Sequence, residues 1–365
     1  MSDEAWLRAL LEAERALAAA QAHVGVISRE AAAEVVAACS EHFDAVALAE
    51  EGRRAGNPVE PLVRALRKHA EFAHWGATSQ DILDTAAALI ARDTTTLIAA
   101  ELDGVARACA ELADRHRSTV MAARTLLQQA LPTTFGLKAA GWLVGTLHAR
   151  ERIVAVRLPA QLGGAAGTLA ALGDRGVDVL RAYSEELDLQ EPVLPWHTRR
   201  LRVAELGAGL AVAAGFLSKI ALDVLLLAQT EVGEVREREG GVSSTMPHKQ
   251  NPVGSTLTRA CALRVEAAAG VLLAALPQEH ERAAGAWHAE WAALSDVLML
   301  TGGAAAAMRE TLTGLEVDVG RMRANIGDET LSEAAGLGLE VTRPQDYLGS
   351  ADAFVERALE FYRGR

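Results

Sequence analysis

The stretch GAGLAVAAGFLSKIALDVLLLAQT, Gly207–Thr230, is apolar over almost its whole length. It is rich in Ala and Leu, both strong helix formers. Lys219 and Asp223 interrupt it, which disfavours a membrane span. A helix apolar nearly all round must be buried on several sides. A single chain of 365 residues can build a sizeable core. Burying so long a helix on every side points further, to packing against other subunits. Half of all residues are hydrophobic but only 4% are aromatic, so the apolar mass is mostly Ala, Leu and Val. Small side chains let helices approach closely along their length. The expected class is all-α, built on long helices in a bundle.

The rest of the chain reads in the same way. Residues 3 to about 50 predict two helices joined near Gly25, and Asn57-Pro58 opens a new segment. In HWGATSQDILDTAAALIA, residues 74–91, Gly76–Ser79 read as a loop, with Thr78 or Ser79 as the N-cap of a long helix. The spacing of Ile98, Leu102, Val105, Cys109 and Leu112 is the stripe of a bundle helix. MAARTLLQQALPTTFG (121–136) breaks the pattern and leads through a turn at Pro132 into a helix ending near Val156. QLGGAAG (161–167) reads as a flexible Gly-rich stretch without the strand-then-helix context of a phosphate loop. PVLPWHTRRLR (192–202) is a second break, followed by helices over about 203–236, 253–275 and 285–315. No segment reads firmly as a sheet.

Charge and cysteines narrow the function classes. The formal net charge is −12, and no Lys/Arg block supplies a basic face for nucleic acid or an anionic membrane. An anionic substrate would have to be held by a few local cations. Cys39, Cys109 and Cys261 lie in apolar helical contexts and form no ligand cluster. They read as reduced core residues of a cytoplasmic protein without a metal site. No cofactor is expected.

The chemistry concentrates in GGVSSTMPHKQNP, Gly240–Pro252. Gly240 and Gly241 permit unusual backbone angles, and Pro247 and Pro252 stiffen the far side. Between them lie Ser243, Ser244 and Lys249. Such a loop reads as a lid carrying a serine and a lysine. The plainer alternative is an interhelix connection, which is usually shorter and needs no Met-Pro-His-Lys.

This loop resembles the GSSxMPxKxNP signature of the fumarase/aspartase superfamily, with Val242 as an extra residue. HWGATSQD (74–81) and RTLLQQALPTTFG (124–136) are similar to that family's other conserved regions. The resemblance implies a long five-helix bundle flanked by smaller helical domains: an N-terminal one over 1–83, the bundle over 84–318 with the loop at 240–252, and a C-terminal one over 319–365. It also implies a homotetramer with a twenty-helix core, in which each active site draws on three subunits. The implied chemistry adds or removes a group β to a carboxylate.

LPWHTRRLRVAELG (194–207), STMPHKQNP (244–252) and PQEHERAAGAWHAEW (277–291) are similar to the bacterial 3-carboxy-cis,cis-muconate cycloisomerase branch of that family, as is the C-terminal YLGSADAFVERAL. That branch closes a tricarboxylate diene to 4-carboxymuconolactone in protocatechuate breakdown. One departure bears on the choice. Family members that expel nitrogen or hydroxide carry a His in GRTH, where this chain has Ala-Arg-Thr-Leu with Leu126. A carboxylate leaves as a stable anion, its conjugate acid having a pKa of about 4. Lactonisation therefore needs no acid at that place. An adenylosuccinate lyase-like elimination, or an inactive structural relative like some lens crystallins, remain the alternatives.

Carried over residue by residue, the resemblance makes Ser243 the proton donor and Lys249 its partner in stabilising an aci-carboxylate. The substrate-binding candidates are His74, Thr78, Ser79, Gln80, Arg124, Thr125, Gln128, His197, Ser244, Met246, Asn251, His280 and Arg282. His74 reads equally as a carboxylate ligand or as a cap of the turn before Gly76. Capping by Thr78 or Ser79 is compatible with anion binding, because a helix start offers hydroxyls and free N–H groups. Gln128 is preferred to Gln129 on the family motif. Arg200 and Arg202 are either surface residues or cations for a tricarboxylate.

Overall fold

The structure, a computed structural model, describes residues 2–238, 241, 242, 246 and 249–365. The first helix, α1 (Asp3–Val24), begins where the Ser2 hydroxyl accepts from Ala5 N–H and ends at Gly25, in the left-handed region at φ 83°. Ser28 caps α2 (Arg29–Ala38), and Asp44 caps α3 (Ala45–Ala55) by accepting from Val46 and Ala47 N–H. The two helices expected over 3–50 are therefore three, because the Asp44 cap restarts the helix after a polar break. Asn57 Oδ1 accepts the Val59 and Glu60 N–H groups and so starts α4 (Val59–Leu66).

A helix of 37 residues follows, α5 (Ser79–Arg115). The 121–136 region, expected as a break and a turn, is an antiparallel hairpin of β1 (Val120–Thr125) and β2 (Gln128–Thr134), with Thr125 opposite Gln128. Leu126 and Leu127 form its two-residue turn at φ 52° and 66°. Positive φ at both central positions is the turn whose twist suits a hairpin, normally built from Asn or Gly. Two leucines hide that signal. Thr134 then caps α6 (Phe135–Ala155) through Leu137 N–H.

After α7 (Gly176–Glu186) comes the apolar helix α8 (Leu201–Leu227). It stops nine residues short of the expected end at 236. The chain turns at Gly233 (φ 60°) because Glu234, fully buried, must meet its partners Arg124 and Asn325. Strand β3 (Val235–Glu237) follows, then the two-residue strands β4 (Gly241–Val242) and β5 (Gln250–Asn251), which pair with one another. Helices α9 (Val253–Ala274) and α10 (Ala286–Thr313), strand β6 (Leu315–Val317), which pairs with β3, and the shorter α11 (Val319–Ala324), α12 (Ser332–Gly336) and α13 (Ala351–Arg363) complete the chain. The class is all-α, with short two-stranded ladders as accessories.

Two compact units result. The first comprises Met1–Thr96, Val156–Ala208 and Ala268–Met299, and its core includes Leu17, Val35, Leu62, Leu66, Ile82, Val179 and Tyr183. The second comprises Leu97–Ala155, Gly209–Ala267 and Leu300–Arg365. There the stripe Ile98, Leu102, Val105, Cys109 and Leu112 is buried, as its spacing predicts, with Phe135, Trp142, Leu210 and Met308 also in the core. Helices α8 and α10 are long and apolar enough to cross a membrane by length and composition alone, with only 44% and 50% of their most apolar windows buried within this chain. About half of each window is thus not fully buried within the chain.

Candidate active site

In the first unit two of the candidate residues, Thr78 and His197, meet at one carboxylate. Asp81 sits in the first turn of α5 and reaches back to accept from Thr78 N–H at 2.9 Å, one half of a capping box. Its oxygens also accept from Gly163 N–H at 2.8 Å, Gly164 N–H at 2.9 Å and His197 Nε2 at 2.7 Å. Asp81 is fully buried, so these four donors replace its hydration. The imidazole proton of His197 is thereby placed on Nε2. Its ring needs Gly163 beside it: a Cβ there would lie 2.7 Å from His197 Cε1. Gly164 has φ 70°, a left-handed geometry that glycine adopts without cost. The 161–167 stretch is therefore not the flexible segment its composition suggests. Its amides and Gln161 are tied to buried acceptors, and Gln161 N–H bonds Thr85 Oγ1 at 3.0 Å.

One helical turn on, Asp84 accepts a two-pronged contact from Arg200, Nη1 at 2.6 Å and Nη2 at 3.0 Å. Glu290 takes the Nε and Nη2 groups of the same guanidinium. Gln80 and Trp287 donate to Asp84 as well, and the guanidinium lies 4.6 Å from the centre of the Trp196 ring. Burial disfavours charge on Arg200, but Asp84 and Glu290 outweigh it and raise its pKa. Burial pushes the Glu290 carboxyl up, against Arg200. Arg200 is thus neither a surface residue nor a free cation for a substrate: two carboxylates already neutralise it. Arg202, two positions on, is exposed.

His74 lies beside this cluster at φ 60°, with Nδ1 2.6 Å from Glu14 Oε1. Thr78 and Ser79 are half-buried at the head of α5. The Gln80 side-chain amide is buried and donates to the His197 carbonyl. His280, at φ 46°, is held through its carbonyl by Thr198 Oγ1, and Arg282 donates to the Ala165 carbonyl. Thus Thr78, Gln80 and His197 share the network around Asp81 and Asp84, His74 contacts Glu14, and His280 and Arg282 are tied to other loops of the same unit.

In the second unit the pieces are the hairpin and the segment that carries Lys249. Arg124 on β1 makes a two-pronged contact with the buried Glu234, Nη1 at 3.0 Å and Nη2 at 2.6 Å. Asn325 donates to the same carboxylate at 2.9 Å. Thr125 and Gln128 flank the turn and are exposed, whereas both ends of the Gln129 amide bond the backbone at Asn325 and Gly327. The hairpin geometry therefore separates two neighbours that composition cannot: Gln129 is structural and Gln128 faces outward. On either side of that segment β4 pairs with β5, Gly241 opposite Asn251. The exit of the segment is fixed by Glu237, which accepts from Gly254 N–H, Ser255 N–H and Ser255 Oγ at the head of α9. Met246, Lys249 and Asn251 help line a cleft of about 1200 Å³ together with Gln229, Thr230 and Arg236. Ser243, Ser244 and His248 lie outside the described residues.

Of the six non-glycine residues with positive φ among the described residues, four are His74, Leu126, Leu127 and His280. Backbone strain of this kind persists where the surroundings enforce it, and here it coincides with the motifs. Asp81, Asp84, Glu14, Glu290, Trp287 and Glu234 escape sequence reasoning. The one available signal was Asp81 and Asp84 three apart on an otherwise apolar helix face. No group of three or more His, Cys, Asp or Glu side chains that could hold a metal ion occurs among the described residues.

Comparison with known proteins agrees with this architecture. A family model described as lyase matches residues 1–266. A nitrosuccinate lyase of Streptomyces davaonensis is 50% identical over 358 residues, covering 91% of this chain and 76% of that protein. A 3-carboxy-cis,cis-muconate cycloisomerase of Bradyrhizobium diazoefficiens is 45% identical over 339 residues, covering 89% and 75%. The crystal structure of 3-carboxy-cis,cis-muconate lactonizing enzyme from Pseudomonas putida superposes with a TM-score of 0.93 at 37% identity, covering 100% of this chain and 96% of that one.

Proposed function

The chain belongs to the lyase family, and on that premise we propose that it closes 3-carboxy-cis,cis-muconate to 4-carboxymuconolactone. The observation that carries this reading is the tip of the β1–β2 hairpin. Where relatives that expel nitrogen or hydroxide carry a histidine, this turn holds Leu126 and Leu127, 96% and 72% exposed. Neither can deliver a proton to a leaving atom. A reaction in which a carboxylate arrives or departs as a stable anion has no need of one.

In the proposed mechanism a carboxylate oxygen of the substrate bonds to a carbon of the conjugated diene. The displaced electron pair moves to the carbon α to a neighbouring carboxylate and is delocalised as an aci-carboxylate. Lys249 and loop N–H groups stabilise that charge as it develops. Ser243 supplies the proton to the carbon. Thr78 and Ser79 at the head of α5, with His74 and Arg282, hold the carboxylates of the tricarboxylate substrate, and Thr125 and Gln128 contribute from the hairpin. A homotetramer with shared active sites is part of the proposal, supported by the incomplete burial of α8 and α10 within the chain. A cytoplasmic location accords with the family.

A second reading is favoured by the 50% identity to a nitrosuccinate lyase. Nitrite, like a carboxylate, leaves as a stable anion, so the leucine tip suits its elimination equally. One paired assay tests both: loss of diene absorbance with 3-carboxy-cis,cis-muconate, and nitrite release from nitrosuccinate. Turnover of the first alone supports lactonisation, and turnover of the second alone replaces it. Turnover of adenylosuccinate would overturn both. Ser243→Ala should abolish turnover with the assembly intact by sedimentation, and near-normal turnover would refute the role of Ser243.

A further inference from the structure

Glu14 is a carboxylate in the middle of α1, 1% exposed. Its Oε1 contacts His74 Nδ1 at 2.6 Å, and its Oε2 has no hydrogen-bond partner. An isolated carboxylate is costly to bury, and a neutral amide would fill the same space at lower cost. Among the described residues, the His74 imidazole is the one group that hydrogen-bonds this side chain. His74 in turn adopts φ 60°, a strained geometry for a non-glycine residue. Gln21, seven residues on from Glu14 in the same helix, holds the adjoining Trp75 carbonyl through its Nε2 at 2.6 Å. Helix α1 thus grips the 74–75 turn at two successive residues, once by charge and once by amide.

We propose that Glu14 is a positioning residue: it holds His74 as an imidazolium with Nδ1–H committed to the carboxylate and Nε2–H presented to a carboxylate group of the substrate. This deepens the functional reading above and, for its substrate arm, rests on it. Nε2 carries no hydrogen bond within the chain among the described residues, and the His74 side chain is 11% exposed. The charged groups facing His74 are Glu14 from α1, Asp81 from α5 and Arg67 from the end of α4. Burial and Arg67 oppose the charge, while Glu14 and Asp81 favour it and prevail. Asp81 already accepts from four other donors, which leaves Glu14 as the direct partner.

The test uses the full chain, wild type and Glu14→Gln, with labelled histidine followed by NMR across pH. In the wild type His74 keeps its proton above the ordinary histidine value, and Nε2 shifts on addition of propane-1,2,3-tricarboxylate as an unreactive probe. In Glu14→Gln the titration falls below that value, because burial is no longer offset, and the probe-induced shift is lost. The kinetic arm reads KM and kcat for 3-carboxy-cis,cis-muconate. Glu14→Gln should raise KM about tenfold at neutral pH, with kcat changed less than about twofold. The wild-type rise of KM with pH should disappear. His74→Gln should raise KM to a similar extent, and adding Glu14→Gln to it should change little further. An unaltered His74 titration in Glu14→Gln, or additive KM effects in the double variant, overturns the proposal. Absence of turnover together with the expected NMR changes would refute the substrate assignment and leave the Glu14–His74 arrangement standing.

Discussion

Replacing Arg200 by Met removes the cation at the centre of the first unit and leaves Asp84 and Glu290 facing one another. Both carboxylates are 2% exposed, and the guanidinium makes close contacts with each. Methionine restores much of the aliphatic volume, so the loss is electrostatic rather than a cavity. Removing one member of a buried ion pair costs about 3–5 kcal/mol because the partner charge is stranded. That is a large share of a total stability of about 5–15 kcal/mol. The pH dependence gives a second signature. In the variant the Glu290 carboxyl, already pushed up by burial, loses the guanidinium that opposes that push, so the folded state binds more protons and loses stability as pH rises. The deficit relative to wild type should be largest near pH 7 and shrink as pH falls toward about 5. Urea unfolding at fixed protein concentration and two pH values measures this. Adding Glu290→Gln to Arg200→Met should be less damaging than the sum of the two single changes. A deficit below about 1 kcal/mol, typical of exposed pairs, would refute the reasoning. So would a deficit that does not shrink on acidification.

The His74–Glu14 contact carries its own pH signature. The folded-state pKa of His74 is raised, so its stabilising contribution is complete below the ordinary histidine value and fades as pH rises through the raised one. The stability difference between wild type and His74→Gln should accordingly narrow as pH rises in chemical unfolding. Leu126→Asn with Leu127→Gly gives the hairpin the residues its positive-φ turn favours, and should stabilise the chain by about 1–2 kcal/mol in thermal unfolding. No gain would mean that the leucine turn is not strained. Gly163→Ala forces a methyl to within 2.7 Å of both His197 Cε1 and Pro195 Cβ. It should cost about 1–3 kcal/mol in urea unfolding and shift the His197 ring resonances, and unchanged resonances would contradict the placement.

What the sequence showed depended on whether a feature was periodic or local. The stripe on α5 and the unrelieved apolarity of α8 are written in spacing and composition, and both were legible. The hairpin was not, since Leu126-Leu127 is a turn chemistry with no compositional mark. The end of α8 was missed because it depends on Glu234 finding Arg124, 110 positions away. The Gly-rich 161–167 stretch looked mobile because glycine signals backbone freedom, whereas here it admits close contact with Asp81 and His197. The charge of Arg200 was visible but its two carboxylate partners were not: Asp84 and Glu290 approach it from 116 and 90 positions away.

Those partners bear on how the site meets an anion. Glu14, Asp81, Asp84 and Glu290 bring four buried carboxylates to the first unit, where Arg200 is shared by two of them and the imidazoles of His74 and His197 face the other two. On the hairpin, Arg124 is matched by Glu234. Two arginines that suggest an anion-binding cluster in the sequence are thus balanced by acids and serve as framework. On the proposed function, substrate carboxylates in this unit are met mainly by dipoles and lone donors, the hydroxyls at the head of α5 and the outward nitrogen of His74. Such donors are oriented in advance and add little net charge to an anionic chain, so they recognise the geometry of the carboxylates more than their number. On that proposal a tricarboxylate diene and a smaller dicarboxylate would meet the same donors, and the choice between them would fall to the shape of the space between the carboxylate groups.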